Sequence, residues 1–137
     1  GNAADLQVEA QSYDEAISQH VIDIQLLGVG SNGHIGFNEP GTAFESLTHV
    51  VDLKEQTRLD NARFFDSLED VPTQAITMGI ASIMKAKKIV LIATGDKKAK
   101  AVYAMVKGEV SPAVPCSILQ QHDDVLLVLD EASAALL

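Results

Sequence analysis

The pattern of apolar and polar residues along the chain predicts helices that alternate with buried strands. A first amphipathic helix is expected over Asp5–His20, because apolar residues recur there every three or four positions. Three short runs rich in Val, Ile and Leu are typical of strands buried in a parallel sheet. These runs are Val21–Val29, Lys88–Thr94 and Val125–Asp130. A further short strand is expected over His49–Leu53.

Three more helices are predicted between and after these strands. In Glu55–Phe65 a helical stripe is expected, formed by Leu59, Ala62 and Phe64 or Phe65. A longer helix is expected from about Thr73 to Ala86, with Pro72 suited to its first turn. Its apolar face consists of Ile76, Ile80, Ile83 and Met84. The last helix follows Gly95, with Asp96 as N-cap and Gly108 as C-terminal stop.

Strands joined by helices predict an α/β fold for residues 1–137, taken as a single domain. The expected architecture is a three-layer sandwich around a mostly parallel, Rossmann-like sheet. In such a sheet, ligands bind outside the carboxyl ends of the strands, where the strand-to-helix loops gather. Two loops qualify, Gly28–Gly41 and Thr94–Lys98.

Composition narrows the possible partners and the compartment. The formal net charge of -9 argues against a nucleic-acid partner, because that affinity comes mainly from clustered Lys and Arg. No apolar run approaches the ~18 residues that a membrane span requires, and the first residues carry no secretion signal, so the cytoplasm is expected. Cys116 is the single cysteine, which excludes an internal disulfide and fits a small buried side chain.

The glycines after the first strand allow two interpretations. Gly28, Gly30 and Gly33 spell GxGxxG, and Asp52 lies where a dinucleotide site would place its ribose-binding acid. That site needs a helix to continue from the third glycine, which Gly36 and Pro40 oppose. The glycines are therefore expected to let the backbone approach a small ligand closely.

The same loop brings together an amide, an imidazole and a carboxylate, from Asn32, His34 and Glu39. This set is suited to proton transfer, because His titrates near neutrality and its neighbours can fix its tautomer. A capping histidine beside a solvated glutamate is the plainer alternative. A zinc site with His49 as third ligand matches no established spacing.

Three longer segments resemble one enzyme family, the glucosamine-6-phosphate deaminases. They are LLGVGSNGHIGFNEPGTAFES, THVVDLKEQTRLDNARFF and VPTQAITMGIASIM. GHIGFNEPG is the specific part, since the related 6-phosphogluconolactonases keep the glycine and histidine without FNEPG. The resemblance implies a cofactor-free enzyme of amino-sugar catabolism. It would open the ring of glucosamine 6-phosphate, move a proton from carbon 2 to carbon 1, and hydrolyse the imine to fructose 6-phosphate and ammonia.

The resemblance also assigns roles to residues. It implies that His34 accepts the proton for ring opening, within a triad completed by Asn32 and Glu39. Arg63 and Lys98 would bind the phosphate. Gly28, Gly30 and Gly33 are expected to contact the substrate because they let the backbone approach it closely, which does not depend on the resemblance. Many relatives carry aspartate in place of Asn32. The amide of Asn32 should therefore orient His34 but stabilise the positive charge of its protonated ring less than a carboxylate would.

The departures from the family pattern lead to further expectations. The family's carbon-acid base lies upstream of the part that resembles Gly1, so we expect a truncated C-terminal portion that is inactive alone. It would associate with a second copy or with the N-terminal portion of the family fold. Val51 replaces a basic residue of the effector site, which predicts an unregulated enzyme. A 6-phosphogluconolactonase-like hydrolase and a non-catalytic sugar-phosphate sensor remain as alternatives.

Overall fold

A computed structural model of the chain describes residues 3–137. It contains four helices and five strands in mixed order, which confirms the predicted α/β class. The helices are α1 Leu6–Ser18, α2 Glu55–Asn61, α3 Ile80–Ile83 and α4 Ala99–Lys107. The strands are β1 Ile24–Gly28, β2 His49–Asp52, β3 Gln74–Thr77, β4 Lys88–Ala93 and β5 Val125–Leu129. Three 3-10 turns cover Ala62–Phe64, Asp96–Lys98 and Pro115–Gln121.

The main sheet is parallel and has the order β1, β4, β5. Its register places Leu27 beside Leu91 and Leu91 beside Leu127, so the three side chains share one face. This face packs on α3, α4 and the turn Pro115–Gln121 to form the hydrophobic core. Cys116 is fully buried there, and burial raises the pKa of its thiol to about 12, as expected for a small core side chain.

The opposite face of the main sheet is apolar and exposed. Leu26, Val90 and Leu126 lie in one row, and Ile92 and Val128 in the next. Leu26 is 62% exposed and Leu126 is 50% exposed. Two of the three predicted layers are therefore present, the main sheet and the helices on its buried face. Within residues 3–137, no helix covers the opposite face.

The predicted helix over Thr73–Ala86 is wrong in its first half. Residues Gln74–Thr77 form β3, which pairs with β2 as an antiparallel two-stranded sheet. Gly79 then adopts an extended conformation and packs so closely on the backbone of Leu47 that a β-carbon would not fit. Only the four residues of α3 are helical. Pairing with a distant strand, which local periodicity does not encode, outweighs the helical spacing of the apolar residues.

The helix predicted over Glu55–Phe65 ends early and has an exposed stripe. It is α-helical to Asn61 and continues as the 3-10 turn Ala62–Phe64. Leu59 and Phe64 are exposed, by 46% and 69%. Asp96 is not the N-cap expected for the last helix, because it lies inside the 3-10 turn that precedes α4. Gly108 does end α4 as predicted.

The strand order determines where the two candidate loops meet. Because β1 and β4 are parallel neighbours, their carboxyl ends lie at the same edge of the main sheet. The loops that begin after Gly28 and after Ala93 therefore share this edge. Across residues 3–137, every helix is too short or too polar to cross a membrane.

Candidate active site

The glycine-rich loop after β1 is a turn closed by its own backbone. Gly30 donates its N–H to the carbonyl of His34 at 2.9 Å, and Gly33 donates to the carbonyl of Gly30 at 3.0 Å. Gly33 has φ +87°, which favours glycine. Its carbonyl accepts the N–H of Cys116 at 2.9 Å, and this bond ties the loop to the core. No helix follows Gly33, as the sequence predicted.

The second half of the loop is anchored to β3 and the residue after it. Asn38 is fully buried and donates its side-chain N–H groups to the carbonyls of Ile35 and Met78, both at 2.9 Å. The N–H of Phe37 donates to the hydroxyl of Thr77 at 3.0 Å. The strand β3, which was predicted to be helical, is therefore part of the support for this loop.

Asn32, His34 and Glu39 form one hydrogen-bonded chain. The Asn32 amide nitrogen donates to Oε2 of Glu39 at 2.8 Å. The Asn32 amide oxygen lies 2.8 Å from Nδ1 of His34 and also accepts the His34 backbone N–H at 3.2 Å. Glu39 does not contact the imidazole directly, since its Oε1 lies 3.7 Å from Nδ1.

This chain fixes the tautomer of His34. An ionised carboxylate only accepts hydrogen bonds, so the nitrogen of the Asn32 amide must face Glu39. The amide oxygen then faces His34 and can only accept, so Nδ1 must carry the hydrogen of the neutral ring. The unprotonated nitrogen is therefore Nε2, whose lone pair can accept a proton.

Glu39 is buried and held by more groups than the sequence indicated. Only 5% of the residue is exposed. Thr57, which is 3% exposed on α2, donates its hydroxyl to Oε1 in a short hydrogen bond. Thr42 donates its hydroxyl to the Glu39 carbonyl at 2.7 Å. Thr57 was not among the predicted site residues, because it lies 18 residues from Glu39 and belongs to no motif. Its place within the predicted helix was its sole signal in the sequence.

The surroundings lower the pKa of His34 below 6.5. Burial is the largest cause, because it disfavours the charged ring. The carboxylate of Glu39 opposes this effect, the charge of Lys98 reinforces it, and the carboxylate of Asp60 opposes it. His34 is therefore neutral at pH 7 and has the protonation state of a general base.

The predicted phosphate ligands differ in their placement. Lys98 is half-buried in the turn after β4, and its charge acts on His34. Arg63 is exposed, with its guanidinium 4.8 Å from the centre of the Phe64 ring. Within residues 3–137, no hydrogen bond or ion pair joins Arg63 to the triad. The charge of Lys98 thus acts on His34, whereas Arg63 lies at the surface.

The remaining candidates of the sequence analysis fall elsewhere. Gly28 is exposed at the end of β1, and Gly30 and Gly33 are buried in the loop. Asp52 lies in the second sheet, where it accepts a hydrogen bond from Gln74 at 2.8 Å. His49 is directed toward the Leu47 carbonyl at 2.7 Å. Among residues 3–137, no three His, Cys, Asp or Glu side chains are grouped as metal ligands.

The sequence of the chain is similar to one known family over most of its length. Residues 1–128 match the model of the family described as glucosamine-6-phosphate isomerases/6-phosphogluconolactonase. Over 135 residues the chain is 61% identical to the glucosamine-6-phosphate deaminase of Streptococcus thermophilus and 59% identical to that of Streptococcus pyogenes. Each alignment covers 98% of this chain and 58% of the relative. The chain thus spans little more than half the length of these relatives.

Solved structures agree with this likeness. A monomeric glucosamine-6-phosphate deaminase superposes with a TM-score of 0.96 at 50% identity, over all of this chain and 57% of that protein. The 6-phosphogluconolactonase of Trypanosoma brucei gives a TM-score of 0.75 at 20% identity, over 98% of this chain and 55% of that protein. The first match supports a close relationship, and the second shows a shared fold.

Proposed function

The chain belongs to the family of glucosamine-6-phosphate isomerases and 6-phosphogluconolactonases, and we propose that it carries part of the active site of a glucosamine-6-phosphate deaminase. The observation that carries this proposal is the Asn32–His34–Glu39 chain, which leaves Nε2 of a neutral imidazole free at the ligand-binding edge. The deaminases of two streptococci at 59–61% identity supply the choice of substrate.

In the proposed ring opening, Nε2 of His34 takes the proton from the anomeric hydroxyl of glucosamine 6-phosphate. The carbon 1 carbonyl forms as the bond from carbon 1 to the ring oxygen breaks. The imidazolium then returns its proton to that oxygen, so the histidine ends the step neutral. Asn32 holds the ring in place through Nδ1, while Glu39 stabilises the transient imidazolium from 3.7 Å.

Lys98 and Arg63 are proposed to bind the phosphate of the substrate. Lys98 is the last residue of the 3-10 turn after β4 and precedes the first residue of α4, and its ammonium is a point charge that acts on His34. Arg63 is exposed, and its guanidinium offers a bidentate fork to an anion. Proton transfer from carbon 2 to carbon 1 is proposed to use groups in the part of the relatives' length that this chain does not span.

The proposal is tested in the full-length protein with glucosamine 6-phosphate, by measuring ammonia and fructose 6-phosphate. Formation of both in equal amounts, lost in His34→Gln, supports it. Hydrolysis of 6-phosphogluconolactone without ammonia release would instead identify a lactonase. Substrate binding without turnover, seen as a raised melting temperature, would indicate a sensing module.

A further inference from the structure

The hydroxyl of Thr57 connects α2 to the loop that carries Asn32, His34 and Glu39. Thr57 lies on α2, and its hydrogen bond to Oε1 of Glu39 is buried at both ends. The side-chain amide of Asn61, one turn further along α2, donates to the Thr57 carbonyl at 2.8 Å. The position of α2 is therefore tied directly to the carboxylate of the triad.

The two oxygens of Glu39 are committed to different partners. Oε2 accepts from the Asn32 amide at 2.8 Å. Oε1 accepts from Thr57 and is the oxygen nearer to the histidine, 3.7 Å from Nδ1. Without the Thr57 hydroxyl, Oε1 would lose its buried hydrogen bond, and Nδ1 of His34, which lies 3.7 Å away, is a charge-assisted donor that could replace it.

We propose that Thr57 is a positioning residue, whose hydroxyl holds Oε1 of Glu39 away from His34 so that the imidazole keeps Asn32 as its partner. This inference rests on the proposed role of His34 as the base for ring opening. A direct pair between imidazolium and carboxylate would favour the charged ring, which has no lone pair to accept the substrate proton. Thr57 thereby keeps the triad in its basic form.

Other charges also act on His34, and they are unaffected by the loss of a hydroxyl. Glu39 lies on the same loop, Asp60 on α2 and Lys98 in the turn after β4. The two carboxylates favour the protonated ring, and Lys98 favours the neutral one. Removing the Thr57 hydroxyl changes none of these charges and alters only the geometry of Glu39.

The test uses Thr57→Val, which replaces the hydroxyl by a methyl group of similar size, in the full-length protein. Its matched control is Thr73→Val, the same replacement at an exposed residue before β3. The imidazole of His34 is titrated by NMR, with its signal assigned from His34→Gln, and the pH profile of kcat/KM is measured in parallel. We expect the His34 pKa and the acid limb to rise by about one unit, as for an opposite charge brought into contact.

Thr57→Ser keeps the hydroxyl and should restore the wild-type pKa and acid limb. In a Glu39→Gln background, Thr57→Val should cause no further change in the His34 pKa, because the carboxylate that would pair with the imidazole is absent. Thr57→Ala replaces Thr57→Val if the valine does not fold, with the same expected shift. A folded Thr57→Val or Thr57→Ala protein whose His34 titrates as in the wild type would overturn the inference. The NMR titration needs no turnover, so it separates failure of this inference from failure of the proposed deaminase activity.

Discussion

The imidazole of His34 lies so close to Gly30 that a β-carbon on Gly30 would overlap the ring. Gly30 has no positive φ, so the backbone there would accept any residue and the requirement is one of space. The central glycine of the GxGxxG pattern thus serves the histidine four residues later. The GxGxxG spacing is typical of nucleotide sites, but in this loop the glycine at position 30 is required by the space that the imidazole occupies.

Gly30→Ala is expected to displace the imidazole while the protein stays folded. A shift of about 1 Å in a catalytic group can cost on the order of 10²-fold in rate, so kcat/KM should fall by about that factor. Steady-state kinetics and the melting temperature of the full-length variant measure the two effects. In a His34→Gln background the alanine should cost no further activity, and an additional loss there would show that Gly30 acts by another route.

The acid limb of the wild-type pH profile should lie below pH 6.5. Burial lowers the pKa of His34, and the neutral ring is the proposed base, so kcat/KM should fall only when the pH drops through that lowered value. The same shift affects stability. Below pH 6.5 the unfolded chain binds the proton more readily than the folded one, so this histidine destabilises the fold as the pH decreases from there. An acid limb above pH 6.5 in kcat/KM would contradict the assignment.

Glu39→Gln and Lys98→Met should move the His34 titration in opposite directions. Glu39 raises the pKa of His34, so its neutralisation should lower it further, whereas removing the Lys98 charge should raise it. Lys98→Met should also increase KM if the lysine binds the phosphate. Lys97→Met, at the exposed neighbouring position, is the matched control and should change neither quantity. NMR titration of the imidazole gives the two shifts independently of turnover.

The sequence predicted the parts of this site that depend on local pattern. The β1 and β4 runs were visible as apolar strands, and their parallel order was enough to place His34 and Lys98 at one edge. The contribution of α2 could not be predicted, because the Thr57–Glu39 bond depends on how a helix packs against a loop. The same reason explains β3, whose pairing with β2 overrides a helical spacing.

Asn32→Asp should raise the pKa of His34 and move the acid limb of kcat/KM upward. The new carboxylate would lie 2.8 Å from Nδ1 and would favour the charged ring. It would also face Oε2 of Glu39 at 2.8 Å, where the amide now donates, so the two carboxyl groups would have to share a proton. Asn32→Ala separates the two effects, since it removes the partner of Nδ1 without adding a charge. An unchanged pH profile in Asn32→Asp would mean that the amide does not hold the imidazole in solution.

The bare face of the main sheet should make the 137-residue chain self-associate when it is prepared alone. Leu26 on β1 is 62% exposed, and Leu126 and Val128 on β5 are 50% and 45% exposed. Ile92 on β4, which lies between these strands, is 45% exposed, so the side chains form a continuous apolar surface, and contiguous surfaces of this kind drive association. Leu126→Lys places a charge on that surface and should shift the molar mass from light scattering toward the monomer. Tyr103→Lys is the control, because Tyr103 is similarly exposed at 47% but lies on α4. Equal masses for the wild type and Leu126→Lys would show that this face does not mediate association.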